Sequence, residues 1–104
     1  MGIAQRKVKR VNEILNILSD LKTEIRHRYK ANVKGVFGSY VKDEQREGSD
    51  IDVLVEFDEG ANLLDLTGLS LFLEEKLNRH VDIVPESSIR KEIKESILKE
   101  AVYL

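Results

Sequence analysis

The sequence predicts an α/β domain, a small mixed β-sheet flanked by helices in the order α-β-α-β-α-β-α. Three observations carry this. Apolar residues recur at three- and four-residue spacing in three long stretches, the pattern of helices that bury one face. Three short apolar runs at 33–38, 50–57 and 80–85 fall between them and read as strands, the second too continuously apolar for simple alternation. A helix separates the second and third runs, which implies a parallel, right-handed crossover. The first and second strands are expected to be antiparallel. At 104 residues the chain is read as one domain, 1–104.

Composition removes several function classes. Apolar residues make up 41% of the chain, enough for a modest core, and the net charge of −2 gives no reason to expect direct nucleic-acid binding. There is no cysteine, which excludes disulfides and thiolate zinc sites, and two histidines are too few for a histidine-rich metal centre. No apolar run approaches the ~20 residues of a membrane span. Arg6, Lys7, Lys9 and Arg10 are not followed by an apolar signal core, so a cytoplasmic location is expected.

The first helix is expected over 5–30, with Val11, Ile14, Leu15, Leu18, Leu21 and Ile25 as its buried stripe. Its basic residues lie mostly off that stripe and read as a solvated face, with docking of an acidic partner as the alternative. His27 reads as a surface residue. Residues 40–47 read as a short helix or ordered loop closed by Gly48. Lys42 and Arg46 share a face if that segment is helical, and either reach phosphate oxygens or pair with Asp43, Glu44 or Glu47. Residues 58–62 have turn composition. The helix at 63–77 places Leu66, Leu69, Leu73 and Leu77 on one face, and Leu64, Leu71 and Phe72 widen it, so the helix is expected to be well buried. Asn78, tolerant of the left-handed conformation, ends it. Ser87 or Ser88 is expected to cap the last helix, whose stripe of Ile89, Ile93, Ile97 and Ala101 packs against the sheet. Val102-Tyr103-Leu104 either tucks into the core or forms part of a partner surface.

The chemistry concentrates where strands one and two meet. Gly38-Ser39 ends the first strand, and Asp50-Ile51-Asp52 opens the second. In an antiparallel pair these ends lie side by side. Residues two apart on a strand face the same way, roughly 6.6 Å apart, so Asp50 and Asp52 form a carboxylate pair beside a small hydroxyl-bearing turn. Like charges this close repel, and a hard divalent cation such as Mg²⁺ removes the conflict while leaving positions open for phosphate. The glycine allows close backbone approach to a phosphate, and the serine hydroxyl and turn N–H groups can donate to it. The set suits a nucleoside triphosphate bridged by Mg²⁺. The crossover brings Asp82, early in the third strand, to the same end of the sheet, where it is read as a third metal ligand. His80 neighbours the site and takes no role.

Phe37-Gly38-Ser39-Tyr40, Ser49-Asp50-Ile51-Asp52-Val53-Leu54-Val55-Glu56-Phe57, Val81-Asp82-Ile83-Val84 and the tail Lys99-Glu100-Ala101-Val102-Tyr103-Leu104 resemble the minimal nucleotidyltransferases, small members of the DNA polymerase beta-like nucleotidyltransferase superfamily. The resemblance runs from about Val33 to the end. The family commonly has Arg-Gly where this chain has Lys42-Asp43, and Gly where it has Asn78; Lys42 keeps the charge without the bidentate fork. The resemblance implies a polymerase beta-like core that transfers a nucleoside monophosphate, AMP from ATP, to a hydroxyl. Asp50, Asp52 and Asp82 would then be catalytic and hold two Mg²⁺ ions: Asp50 and Asp52 on the triphosphate ion, and all three around the second. Gly38, Ser39, Lys42 and Ser49 would bind the nucleotide. The resemblance also implies an antitoxin role in a type VII-like pair, as a hetero-oligomer with a cognate HEPN toxin whose tyrosine is modified. The rival readings are a binding module that neutralises its partner by contact, and a small-molecule nucleotidyltransferase.

Overall fold

The computed structural model describes residues 11–38, 41 and 50–104. The basic residues before Val11, all but Val41 of the segment expected to form a short helix or ordered loop at 40–47, and Ser39, Gly48 and Ser49 lie outside the described residues, so Lys42 and Arg46 do too. The described elements run α1 (Val11–Tyr29), β1 (Ala31–Phe37), β2 (Ile51–Phe57), α2 (Leu63–Leu77), β3 (Val81–Pro85), a 3₁₀ turn (Glu86–Ser88), α3 (Lys91–Glu100) and β4 (Val102–Tyr103). The strands form one sheet in the order β3-β2-β1-β4. β1 and β2 are antiparallel, and β2 and β3 parallel, as the connections require. The mixed sheet and its flanking helices match the predicted class.

One face of the sheet carries the core. Ile51, Val53 and Val55 of β2 meet Ile14, Leu18 and Ile25 of α1 and Leu69, Phe72, Leu73 and Leu77 of α2, all buried. A bulge in β1 moves the pairing from Val33 opposite Val55 to Gly35 opposite Leu54, leaving Lys34 as the extra residue. Strand parity therefore switches, and Val33 before the bulge and Val36 after it are both buried. α1 stops at Lys30, which adopts the left-handed conformation (φ 55°) and accepts the Asp58 N–H at 2.7 Å. α2 begins in a reciprocal capping box between Asn62 and Asp65, which the turn reading of 58–62 did not include. It ends at Asn78 with φ 57°, as expected of that residue.

Three expectations are corrected. Leu64 and Leu71 do not widen the buried face of α2: they are 80% and 63% exposed. They lie seven residues apart on the side of the helix away from Leu69 and Leu73, and Leu71 only rims the groove between α1 and α2. The serines do not cap α3. They form the 3₁₀ turn, Ser88 Oγ donates to the Pro85 carbonyl at 2.8 Å, and α3 starts after Arg90 without a side-chain cap. α3 has no buried residue, and Ile93 of its apolar stripe is 49% exposed, so it covers the sheet only loosely. The chain end does not tuck into the core, since Tyr103 and Leu104 are exposed. Val102-Tyr103 adds an edge strand to β1, and Gly35 permits it, because a Cβ there would run into the Val102 carbonyl.

Candidate active site

The site is a consequence of strand periodicity. β2 sends Ile51, Val53 and Val55 into the core, so Asp52 must face the other side of the sheet. There it pairs in register with Asp82 on β3 and Phe37 on β1. The Ile51 N–H donates to the His80 carbonyl at 2.9 Å, which aligns the entries of the two parallel strands. Asp50, Asp52 and Asp82 therefore gather at one end of the sheet. Asp52 is half-buried, while Asp50 and Asp82 are exposed.

Asp52 is the electrostatic centre. Burial pushes its carboxyl up from 3.8 to about 6, and the neighbouring charges of Asp82 and then Asp50 push the same way. Gly38 lies directly against it. The glycine has φ +86°, and a Cβ there would run into Asp52 Oδ2. Both the left-handed backbone and the close approach demand glycine. The Gly38 carbonyl accepts the Val41 N–H at 3.1 Å, closing the turn that follows β1. Of the residues singled out from the sequence, the structure thus brings Gly38, Asp50, Asp52 and Asp82 together. Ser39, Lys42 and Ser49 fall outside the described residues.

The donor set fits a hard cation. It consists of carboxylate oxygens, and the one on Asp52 is made harder to ionise first by burial and then by the charges of Asp82 and Asp50, a repulsion that a divalent ion would neutralise. Among the described residues no three acidic or imidazole groups stand close enough together to hold an ion by themselves. Mg²⁺ does not need such a cage. It is commonly held by one or two carboxylates, with substrate phosphates and water filling the other positions.

Sequence reasoning missed Glu74. Its carboxylate accepts the Val81 N–H at 3.2 Å and lies 3.6 Å from His80 Nδ1, beside the entry of β3. The available signal was an acid near the C-terminal end of a helix, where the macrodipole disfavours it. A groove of about 340 Å³ between α1 and α2, with Tyr29 and Phe72 in its wall, belongs to the opposite layer.

Residues 12–104 match the family model of the nucleotidyltransferase domain. The chain is similar to the protein adenylyltransferase MntA of Thermococcus cleftensis, with 43% identity over 94 residues, 90% of this chain and 95% of that protein. A solved structure assigned to the minimal nucleotidyltransferases superposes with a TM-score of 0.77 at 38% identity, over 92% of this chain and 97% of that one. A toxin–antitoxin crystallised with AMP-PNP shares the fold at 23% identity, with a TM-score of 0.65 over 91% of this chain and 72% of that one.

Proposed function

This chain belongs to the nucleotidyltransferase-domain family, as one of its minimal members, and from that premise we propose that it is a protein adenylyltransferase. It moves AMP from ATP to a tyrosine hydroxyl of a cognate HEPN-type toxin and so acts as that toxin's antitoxin. The single observation that carries the reading is the in-register pair Asp52 and Asp82, with Gly38 against the Asp52 carboxylate and Asp50 two residues before it. The relative called protein adenylyltransferase and the toxin–antitoxin with AMP-PNP support it.

The reaction is an in-line displacement at phosphorus. The acceptor oxygen bonds to the α-phosphorus, the bond from that phosphorus to the bridging oxygen breaks, and pyrophosphate leaves with the bond's electron pair. The hydroxyl proton passes to solvent or a nearby carboxylate. Two bound Mg²⁺ ions would supply charge neutralisation for the attacking and leaving oxygens. Asp50 and Asp52 would hold the ion on the triphosphate and share the ion near the acceptor, where Asp82 would complete the set. Gly38 and Ser39 would take the phosphates at the turn, with Lys42 and Ser49 beside them. Little covalent chemistry is asked of the protein, so placement and charge carry the rate. A macromolecular acceptor suits a carboxylate set whose Asp50 and Asp82 are exposed, because small-molecule sites bury most of their ligand.

The test is incubation of the chain with Mg²⁺, ATP and the product of the adjacent gene. The expected result is a gain of about 329 Da per AMP, located on tyrosine by tandem mass spectrometry and absent with Asp50→Ala. A partner that stays unmodified yet is inhibited at stoichiometric ratio would replace this reading with neutralisation by contact.

A further inference from the structure

Among the described residues β3 is an edge strand, so one of its sides has no neighbouring strand. The His80 carbonyl faces β2 and accepts the Ile51 N–H. By strand alternation the next N–H, that of Val81, points outward from the sheet, although Val81 itself is only 6% exposed. Such an N–H needs a partner. Glu74 Oε2 supplies it at 3.2 Å. The backbone of Glu74 works on the same connection, since its carbonyl accepts the Asn78 N–H at 2.8 Å. Glu74 therefore ties down both the start and the finish of the tight link between α2 and β3. The residue after the pinned peptide is Asp82.

We propose that Glu74 is a positioning residue: by gripping the Val81 peptide from outside the sheet while β2 grips it from inside, it holds the Asp82 carboxylate beside Asp52. The proposal rests on the nucleotidyltransferase reading for its catalytic consequence. A carboxylate is an unexpected choice near a helix C-terminus, and the N–H it meets belongs to the strand that carries a site acid. What matters is the acceptor oxygen, so glutamine should serve in its place and alanine should not.

The test compares Glu74→Ala and Glu74→Gln in the full chain, well below their melting temperatures. For Glu74→Ala, amide exchange at Val81 and Asp82 should quicken, and Mn²⁺ should broaden the Asp82 amide resonance at higher concentration than in the parent. With the partner present, kcat should fall about tenfold or more while the KM for ATP stays within about twofold. Glu74→Gln should recover all three to within about threefold. Parental exchange and Mn²⁺ response in Glu74→Ala would overturn the proposal, as would a Glu74→Gln variant as impaired as alanine. If the parent transfers nothing to any partner, the adenylyltransferase reading fails, and the exchange and Mn²⁺ measurements still decide the role of Glu74.

Discussion

The two faces of the sheet are built from the same strands and have opposite characters. Toward α1 and α2, β2 presents Ile51, Val53 and Val55, each fully buried. Toward the other side it presents Asp52, half-buried, and Glu56, exposed, with Leu54 buried between them. The first face is dry and closed by two helices. Among the described residues, the second has the 3₁₀ turn, the loosely packed α3 and an open end where the carboxylates stand. One closed face is enough to hold the fold, which leaves the other free to carry charges that stability alone would not tolerate. Removing a carboxylate should therefore cost function and spare the fold, and removing a core residue should do the reverse.

The sharpest way to break that contrast is Asp52→Asn. The amide keeps the shape and removes the charge, so nucleotide transfer should fall by about 10³-fold or more while helix content stays unchanged. Asp82→Asn should lower kcat more than affinity for a non-hydrolysable ATP analogue with Mg²⁺, measured by isothermal titration. Equal loss of analogue binding in both variants would remove the division of labour between them. Next in size is Gly38→Ala. The methyl group meets Asp52 Oδ2 and the backbone stays at a positive φ, so transfer should drop by about 10²-fold with a stability cost of about 1–2 kcal/mol. A Gly38→Ala variant with parental activity would show that the glycine does not hold the carboxylate in place.

The closed face gives the converse prediction. Leu73→Ala leaves a cavity where no solvent reaches and should cost about 3 kcal/mol in urea unfolding. Leu71→Ala, two positions away on the exposed side, should cost under about 0.5 kcal/mol. Equal costs would mean that the outer side of α2 is covered in solution.

Which parts were legible follows from the same physics. The closed face was, because burial imposes period: the stripe of α1, the bounds of α2 and the left-handed Asn78 all follow from local rules. The carboxylate corner was too, since strand alternation and a right-handed crossover leave Asp50, Asp52 and Asp82 only one end to share. What period could not convey was how much cover each element receives. α2 is apolar nearly all round, so Leu64 and Leu71 looked like core, and only the position of α1 shows which side is left bare. β4 spans two residues, Val102–Tyr103, too few to show alternation, and its pairing with β1 depends on Gly35 at long range. Glu74 was invisible for a similar reason, because its partner is a backbone N–H seven residues on.

An effect smaller than the loss of a core side chain tests the charge balance of the open face directly. Asp52 holds its proton up to about pH 6 in the folded chain, against an ordinary value of 3.8. The folded state thus binds that proton more tightly than the unfolded chain does. Below the unfolded value the carboxyl is neutral in both states, and its contribution to stability is fully present. As pH rises through the folded value the contribution is lost, and above it the penalty is constant. Because Asp52 is half exposed, solvent screening reduces the penalty to about 1 kcal/mol. The measurement is the melting temperature in EDTA across this window, taken as the difference between parent and Asp52→Asn so that other titrating groups cancel. The difference should favour Asp52→Asn by several degrees above about pH 6 and shrink toward pH 4. Millimolar Mg²⁺ should raise the melting temperature of the parent at neutral pH, by binding the native state, and raise that of Asp52→Asn less. Parallel pH profiles, or an equal response of the two chains to Mg²⁺, would mean that the open face does not carry the strain that its carboxylates imply.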